Sequence, residues 1–247
     1  MSERIRAVER AARYAGSIVH PRWRPSEFGP LEPLFAPNGL EAGSLVEWLS
    51  EGWGDGAMTL AFLLARRVLD EKGVLVVIDD RVAAQWGASS ELSRGRWSFY
   101  AAGAARWELP LERLIVIRPE RARDRLWALE QSLRCPAVAA VFARLERASS
   151  LVLRQLQLAA ETGGTVGLLA RPLSAQREPS WASVRLRVEA RPSTADGFTR
   201  RLRVQRLSGR GVWDRLTIEL EIDHVTGDVR LAAELFDPAR ASRAAGA

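Results

Sequence analysis

Residues 50–61, Ser-Glu-Gly-Trp-Gly-Asp-Gly-Ala-Met-Thr-Leu-Ala, have the glycine richness of a phosphate-binding loop without its charge. A working loop reads G-x-x-x-x-G-K-[ST]: backbone amides wrap the phosphates, a Lys reaches the β and γ oxygens, and a hydroxyl holds Mg²⁺. Gly52, Gly54 and Gly56 surround Asp55 here, but Ala57 stands at the Lys position and Met58 at the hydroxyl position. Thr59 falls one residue too late, and the chain's single Lys is Lys72. The loop is thus a scaffold relieved of nucleotide hydrolysis. Its amides and the helix start behind them can still meet a phosphate or DNA backbone oxygen. The alternative is a structural remnant, with Trp53 packed into the vacated space.

Other residues with chemical potential are sparse. Asp79 and Asp80 end an apolar run and form either a metal-binding carboxylate pair or a strand end in which Asp80 caps the next helix. His20 and His224 stand far apart, without acid–base partners at useful spacing. Cys135 precedes Pro136 in apolar surroundings and reads as a small buried residue. A lone Cys excludes an intramolecular disulfide and a cysteine-built metal site, in keeping with a reducing cytoplasm. The sequence offers no nucleophile elbow, no catalytic triad, no metal set and no cofactor motif.

The elements that position the loop follow from periodicity. Residues 39–49 read as a turn and a strand leading into the loop, and 58–69 as an amphipathic helix. Residues 73–78, Gly-Val-Leu-Val-Val-Ile, are a continuous apolar run fit for a buried parallel strand. Strands at 114–117, 137–142 and 166–170 alternate with helices at 121–133 and 149–162, the latter closed by Gly163-Gly164. Such alternation implies a parallel sheet with crossover helices. Beyond Pro172, apolar and charged residues alternate strictly: Val184, Leu186 and Val188 with Arg185 and Arg187, then Leu202 and Val204 with Arg201 and Arg203. Leu216, Ile218, Leu220 and Ile222 alternate with Glu219 and Glu221, and a turn at 226–228 follows. This pattern predicts antiparallel strands with one wet face.

Residues 3–14 read as a short Arg-rich amphipathic helix, and 21–37 as a Pro-rich linker or strapped-down arm. The divisions are therefore 1–30 for the N-terminal helix and arm, 31–172 for the α/β core, 173–236 for antiparallel strands of the same domain, and 237–247 for a disordered tail. At 247 residues with 47% hydrophobic content, one α/β domain with additions is expected. The start of the chain lacks a signal-peptide pattern, and no apolar run suits a membrane span.

Net charge is +6, with an isoelectric point near 10.7. Ten arginines face four acids between Arg177 and Arg215, so basicity is concentrated late in the chain. Arg185, Arg187, Arg201 and Arg203 are either a surface for DNA phosphates or cross-strand partners of Glu219 and Glu221. Among the nine Trp residues, Trp86 and Trp97 lie in a polar stretch as candidate partner anchors, and most of the others are expected in the core.

The order of elements and several strings resemble the RecA-type ATPase core. Residues 31–49, LEPLFAPNGLEAGSLVEWL, look like the segment leading into the RecA phosphate loop; GVLVVIDD resembles the next core strand; WASVRL at 181–186 resembles the entry to the late strands. FYAAGAARWELPLERLIVIRP at 99–119, LWALEQSLRCPAVAAVFARLE at 126–146 and LRQLQLAAETGGTVGLLAR at 153–171 are narrower, and look like the ImuA family. These are RecA-like proteins encoded beside an inactive Y-family polymerase homologue and an error-prone C-family DNA polymerase.

Carried over residue by residue, the resemblance removes catalysis. Ala57 and Met58 replace the Lys and Thr. Arg81 occupies the place of the water-activating Glu, two residues after Asp79. Residues 141–144 end in Arg144 where a Mg²⁺-supporting Asp is expected. Positioning cation, metal ligand and base are missing together, and one lost transition-state contact alone costs about 3–4 kcal/mol. Residues 173–180, in the place of a DNA-binding loop, are much shortened. The resemblance therefore implies a RecA-like α/β fold with an antiparallel extension, and a non-catalytic, cytoplasmic adaptor that joins the nucleoid when active. It would serve damage-inducible (SOS) translesion synthesis, binding polymerase-like mutasome subunits, the clamp assembly or RecA, with DNA near its arginines and no membrane or cofactor. The alternatives are a cell-division inhibitor resembling SulA and a DNA-dependent ATPase.

Overall fold

The computed structural model describes residues 25–35, 39–52, 54–69, 73–79, 99–193, 198–209, 216–223 and 225–232. The expected N-terminal helix, the C-terminal tail, Trp53, Asp80, Arg81, Trp86, Trp97, His20 and His224 lie outside them.

Continuous apolar runs become the interior of a single sheet, because strands covered on both faces must be apolar on both. Its strands are β1 (Leu45–Ser50), β2 (Val74–Ile78), β3 (Leu114–Ile117), β4 (Val138–Arg144), β5 (Val166–Pro172), β6 (Val184–Arg191), β7 (Thr199–Gly209), β8 (Thr217–Asp223) and β9 (Val229–Leu231). They lie in the order β3-β2-β4-β5-β1-β6-β7-β8-β9. Pairing is parallel from β3 through β6 and antiparallel from β6 to β9. The helices are α1 (Glu32–Phe35), α2 (Ala57–Val68), α3 (Ala101–Arg106), α4 (Ala122–Leu133) and α5 (Ser150–Gly163). This is a mixed α/β architecture, mostly parallel, with an antiparallel C-terminal part.

Side-chain alternation splits the core into two layers. Val46 and Trp48 of β1, with Val77, Phe142 and Leu168, face α2 and the N-terminal arm. Leu45 of β1, with Val76, Val141 and Leu169, faces α4 and α5. Helix ends follow local chemistry. Ser149 Oγ accepts a hydrogen bond from the Val152 amide at 3.3 Å, and Gly164 closes α5 in the left-handed conformation at φ 68°.

Of the two readings of residues 21–37, the strapped-down arm is the one seen over 25–35: Phe28, Leu31, Leu34 and Phe35 are buried on the α2 face. Two other features differ from expectation. The short helix α3 was not expected, since Ala-Ala-Gly-Ala-Ala carries no periodic signal. The strand at 184–191 is not purely antiparallel, because β6 pairs parallel with β1 on its other side. The chain gets there by crossing over β1 through a 3-10 turn, Leu173–Arg177, and the Ser183 amide then donates to the Leu45 carbonyl at 2.8 Å. Alternation reports the faces of a strand but not the direction of its neighbour.

Gly163 fixes how α5 meets α4. A methyl group there would stand 2.1 Å from the Leu133 carbonyl oxygen. Gly163→Ala is expected to destabilise the protein by about 1–3 kcal/mol through overpacking. Chemical denaturation checks this, and a loss below about 0.5 kcal/mol would show that the helix pair yields freely.

Candidate functional site

β1 carries the chain to the carboxyl edge of the sheet, where the glycine loop turns it into α2. Ser50 Oγ donates to the Gly52 carbonyl at 3.2 Å, and the Gly52 amide donates to Asp55 Oδ2 at 2.5 Å. The loop therefore holds its own anion: the Asp55 carboxylate takes an amide of the kind that a phosphate oxygen would use. Gly56 adopts φ 85°, which favours glycine. A methyl group there would lie 2.5 Å from Leu202 Cδ1 of β7. The first turn of α2 contains no acidic residue, but the Asp55 carboxylate stands directly before its Gly56 cap.

Beside the loop lies a cavity of about 340 Å³ at the carboxyl ends of β1, β4 and β5. Crevices in this position are the usual ligand sites of open α/β sheets. Gly52, Ala57, Met58, Arg144, Arg171 and Glu178 are among its walls. Residues singled out in the sequence thus converge in space: Ala57 and Met58 on one wall, and Arg144 from the end of β4. Thr59 follows them within α2 and does not line the cavity. The Arg144 side chain is 5% exposed and reaches Glu146, itself 75% exposed, at 3.7 Å. Among the described residues, no group of three His, Cys, Asp or Glu side chains could hold a metal ion, and no helix is long and apolar enough to cross a membrane.

Behind the cavity is a buried ion network. Glu47 of β1 is wholly buried. Its Oε1 accepts from Arg171 Nη1 at 2.9 Å, and its Oε2 from Arg185 Nε at 2.7 Å. Arg171 also donates to Glu178 Oε2 at 2.6 Å and to the Leu145 carbonyl. Arg185 donates to the carbonyls of Ala175 and Gln176. Two guanidinium groups and two carboxylates cancel. Sequence reasoning missed Glu47 and Arg171. Their signal was charge inside otherwise apolar strand runs, LVEWL and GLLAR.

Arg185 is therefore not part of a surface row; its side chain is 11% exposed. Arg201 and Arg203 are paired across strands with Glu221 and Glu219, which is the cross-strand alternative, while Arg187 pairs within its own strand. Arg201 Nη2 contacts Glu221 at 2.7 Å, Arg203 Nη2 contacts Glu219 at 2.8 Å, and Arg187 contacts Glu189. Arg191 shares Glu189, and Arg230 shares Glu221. On this face five arginines share three glutamates, leaving an excess of two positive charges among these eight groups. Asp79, fully buried at the end of β2, is bound by Arg118 Nε at 3.0 Å. Trp48 is buried and Trp107 packs against the core, while Trp127 and Trp181 are about half exposed. Arg154 stacks over the Trp181 ring at 5.1 Å.

No protein-family model matches the chain, and no curated protein matches it.

Removing one member of a buried network strands the others in low dielectric. Glu47→Gln is expected to cost about 3–5 kcal/mol, whereas Glu219→Gln, on the exposed face, should cost under about 1 kcal/mol. Comparable losses in urea denaturation would show that Glu47 is not the anchor. Glu221 has its pKa lowered from 4.5, chiefly by the Arg201 hydrogen bond, with Arg230 assisting and burial opposing. A depressed carboxyl pKa stabilises the fold above its unfolded value, and that stabilisation is lost as pH falls through the folded value. Glu221→Gln should therefore flatten the stability curve below about pH 4.5, the unshifted value. An unchanged acid limb would refute the pairing.

Proposed function

We propose that the chain is a non-catalytic RecA-like adaptor in translesion DNA synthesis, docking on polymerase-like subunits or on RecA. The observation that carries this reading is the convergence of Ala57, Met58 and Arg144 on one cavity. In a nucleotide-hydrolysing site these places hold a cation, a metal-binding hydroxyl and a carboxylate. The Asp55 carboxylate on the Gly52 amide supports the same conclusion, since it opposes a phosphate by like charge. The position of the loop after a central strand, and the antiparallel strands joined to the same sheet, are the arrangement that the RecA resemblance implies.

A supporting role for DNA rests on the face of β6 to β9. Its surplus of guanidinium over carboxylate suits weak, salt-sensitive contact with phosphates. Sequence reading by base edges has no support there.

The test joins calorimetry with capture from cells. The purified protein should take up no ATP in the presence of Mg²⁺ and should recover polymerase subunits or RecA from DNA-damaged cells. Micromolar, magnesium-dependent ATP binding would sink the non-catalytic half of the reading. Recovery of a cell-division protein in place of polymerase components would sink the other half.

A further inference from the structure

We infer that the outer stripe of α5, together with Trp181, is a docking surface for an acidic, amphipathic helix of a partner protein. This deepens the adaptor reading, on which it rests for the partner's identity.

The stripe begins as an excess of leucine. Residues 150–163 read Ser-Leu-Val-Leu-Arg-Gln-Leu-Gln-Leu-Ala-Ala-Glu-Thr-Gly, with apolar side chains on more than the one face that a surface helix buries. Leu153, Leu156, Ala159 and Ala160 pack against the sheet. Leu151 and Leu158 stand two helical turns apart on one line, and they are 66% and 52% exposed. Single exposed leucines are ordinary. These two adjoin a third large apolar side chain, Trp181, 47% exposed, and a cluster of this kind marks an interaction site.

Trp181 is an anchor already in position. Its indole N–H donates to Ser150 Oγ at 3.0 Å, and the Arg154 guanidinium lies 5.1 Å from the ring centroid. Held from two sides yet half open, the ring loses little freedom when a partner covers it. Trp and Arg are also the residues that most often dominate binding energy at an interface centre.

Charge selects the partner. Among the described residues, Arg147, Arg154 and Arg177 meet no carboxylate. All three are exposed; Arg147 leads into α5, and Arg177 ends the crossover turn just before Trp181. The acids of the same two segments are engaged. Glu146 faces Arg144, Glu178 accepts from Arg171, and Glu161 accepts from Gln157. Three unanswered positive charges therefore surround an apolar stripe. Its complement is a helix with leucines on one face and carboxylates beside them. A nucleic acid fits less well, because Leu151 and Leu158 offer no aromatic face on which bases stack.

The experiment titrates the full ¹⁵N-labelled chain with a synthetic acidic peptide, leucines at helical spacing and glutamates elsewhere. A counterpart carries glutamine in place of every glutamate. The Trp181 indole N–H and the Leu151, Arg154 and Leu158 amides should shift saturably with the acidic peptide. The glutamine counterpart should bind at least about tenfold more weakly. Arg154→Glu and Leu158→Glu should each weaken binding by about tenfold or more. Both positions are exposed, and unchanged amide signals from the sheet show that each variant is folded. No saturable shift, equal affinity for the two peptides, or shifts that spare Trp181 and α5 would each overturn the proposal. So would a single-stranded oligonucleotide that moves these signals at lower concentration than the acidic peptide, or self-association of the chain through the same residues. Capture from DNA-damaged cells separates the two readings. Polymerase subunits or RecA held equally by wild type and Leu158→Glu overturn the stripe as the docking place and leave the adaptor standing. A wild type that recovers no such partner overturns the adaptor reading, whatever the titration gives.

Discussion

The arrangement depends first on a negative charge in the middle of the sheet. Glu47 cannot be left alone there, because an unpaired buried carboxylate costs more than most single contacts return. Arg171 on one neighbouring strand and Arg185 on the other satisfy both of its oxygens. Glu47 stands opposite Leu169 of β5 and Arg185 of β6 in the parallel register. A slip of β6 by one residue would put Val184 or Leu186 in the place of Arg185 and send the guanidinium to the other face. The ion network therefore acts together with the burial of Val184, Leu186 and Val188 to fix where the antiparallel extension joins the core.

From that join, the rest of the site takes its place. The crossover through Leu173–Arg177 lays Ala175 and Gln176 where their carbonyls receive Arg185. The same passage brings Glu178 to Arg171 and to the cavity edge. Charge inside the sheet and chemistry at its carboxyl edge thus share one residue, Arg171. A change at the cavity that disturbs this guanidinium would be felt by β1, and the reverse holds as well.

Much of this was legible in the residues. Unbroken apolar runs such as 74–78 gave buried strands, and the 3.6-residue spacing around Leu153, Leu156 and Ala160 gave α5. The glycine loop, followed by Ala57 and Met58, was visible as spelling. What spelling could not supply was partnership across the sheet. Glu47 and Arg171 sit far apart in sequence, and each looks like an interruption until strand order brings them together. Arg185 shows the same limit from the other side. Alternation places it on the charged face of β6, and only the crossover segment lying on that face turns it inward-paired. The parallel β1–β6 join was hidden because a two-residue period is identical for either strand direction.

The contact between Gly56 and Leu202 has a consequence for biosynthesis. The loop belongs to the first third of the chain, yet the side chain that packs over it lies on β7, among the last strands to be made. On the ribosome, where chains emerge amino end first, the early strands and helices can gather while the turn after β1 still lacks its cover. Only when translation has passed β7 does this corner acquire its neighbour, so the oldest-looking motif of the chain is among the last to settle.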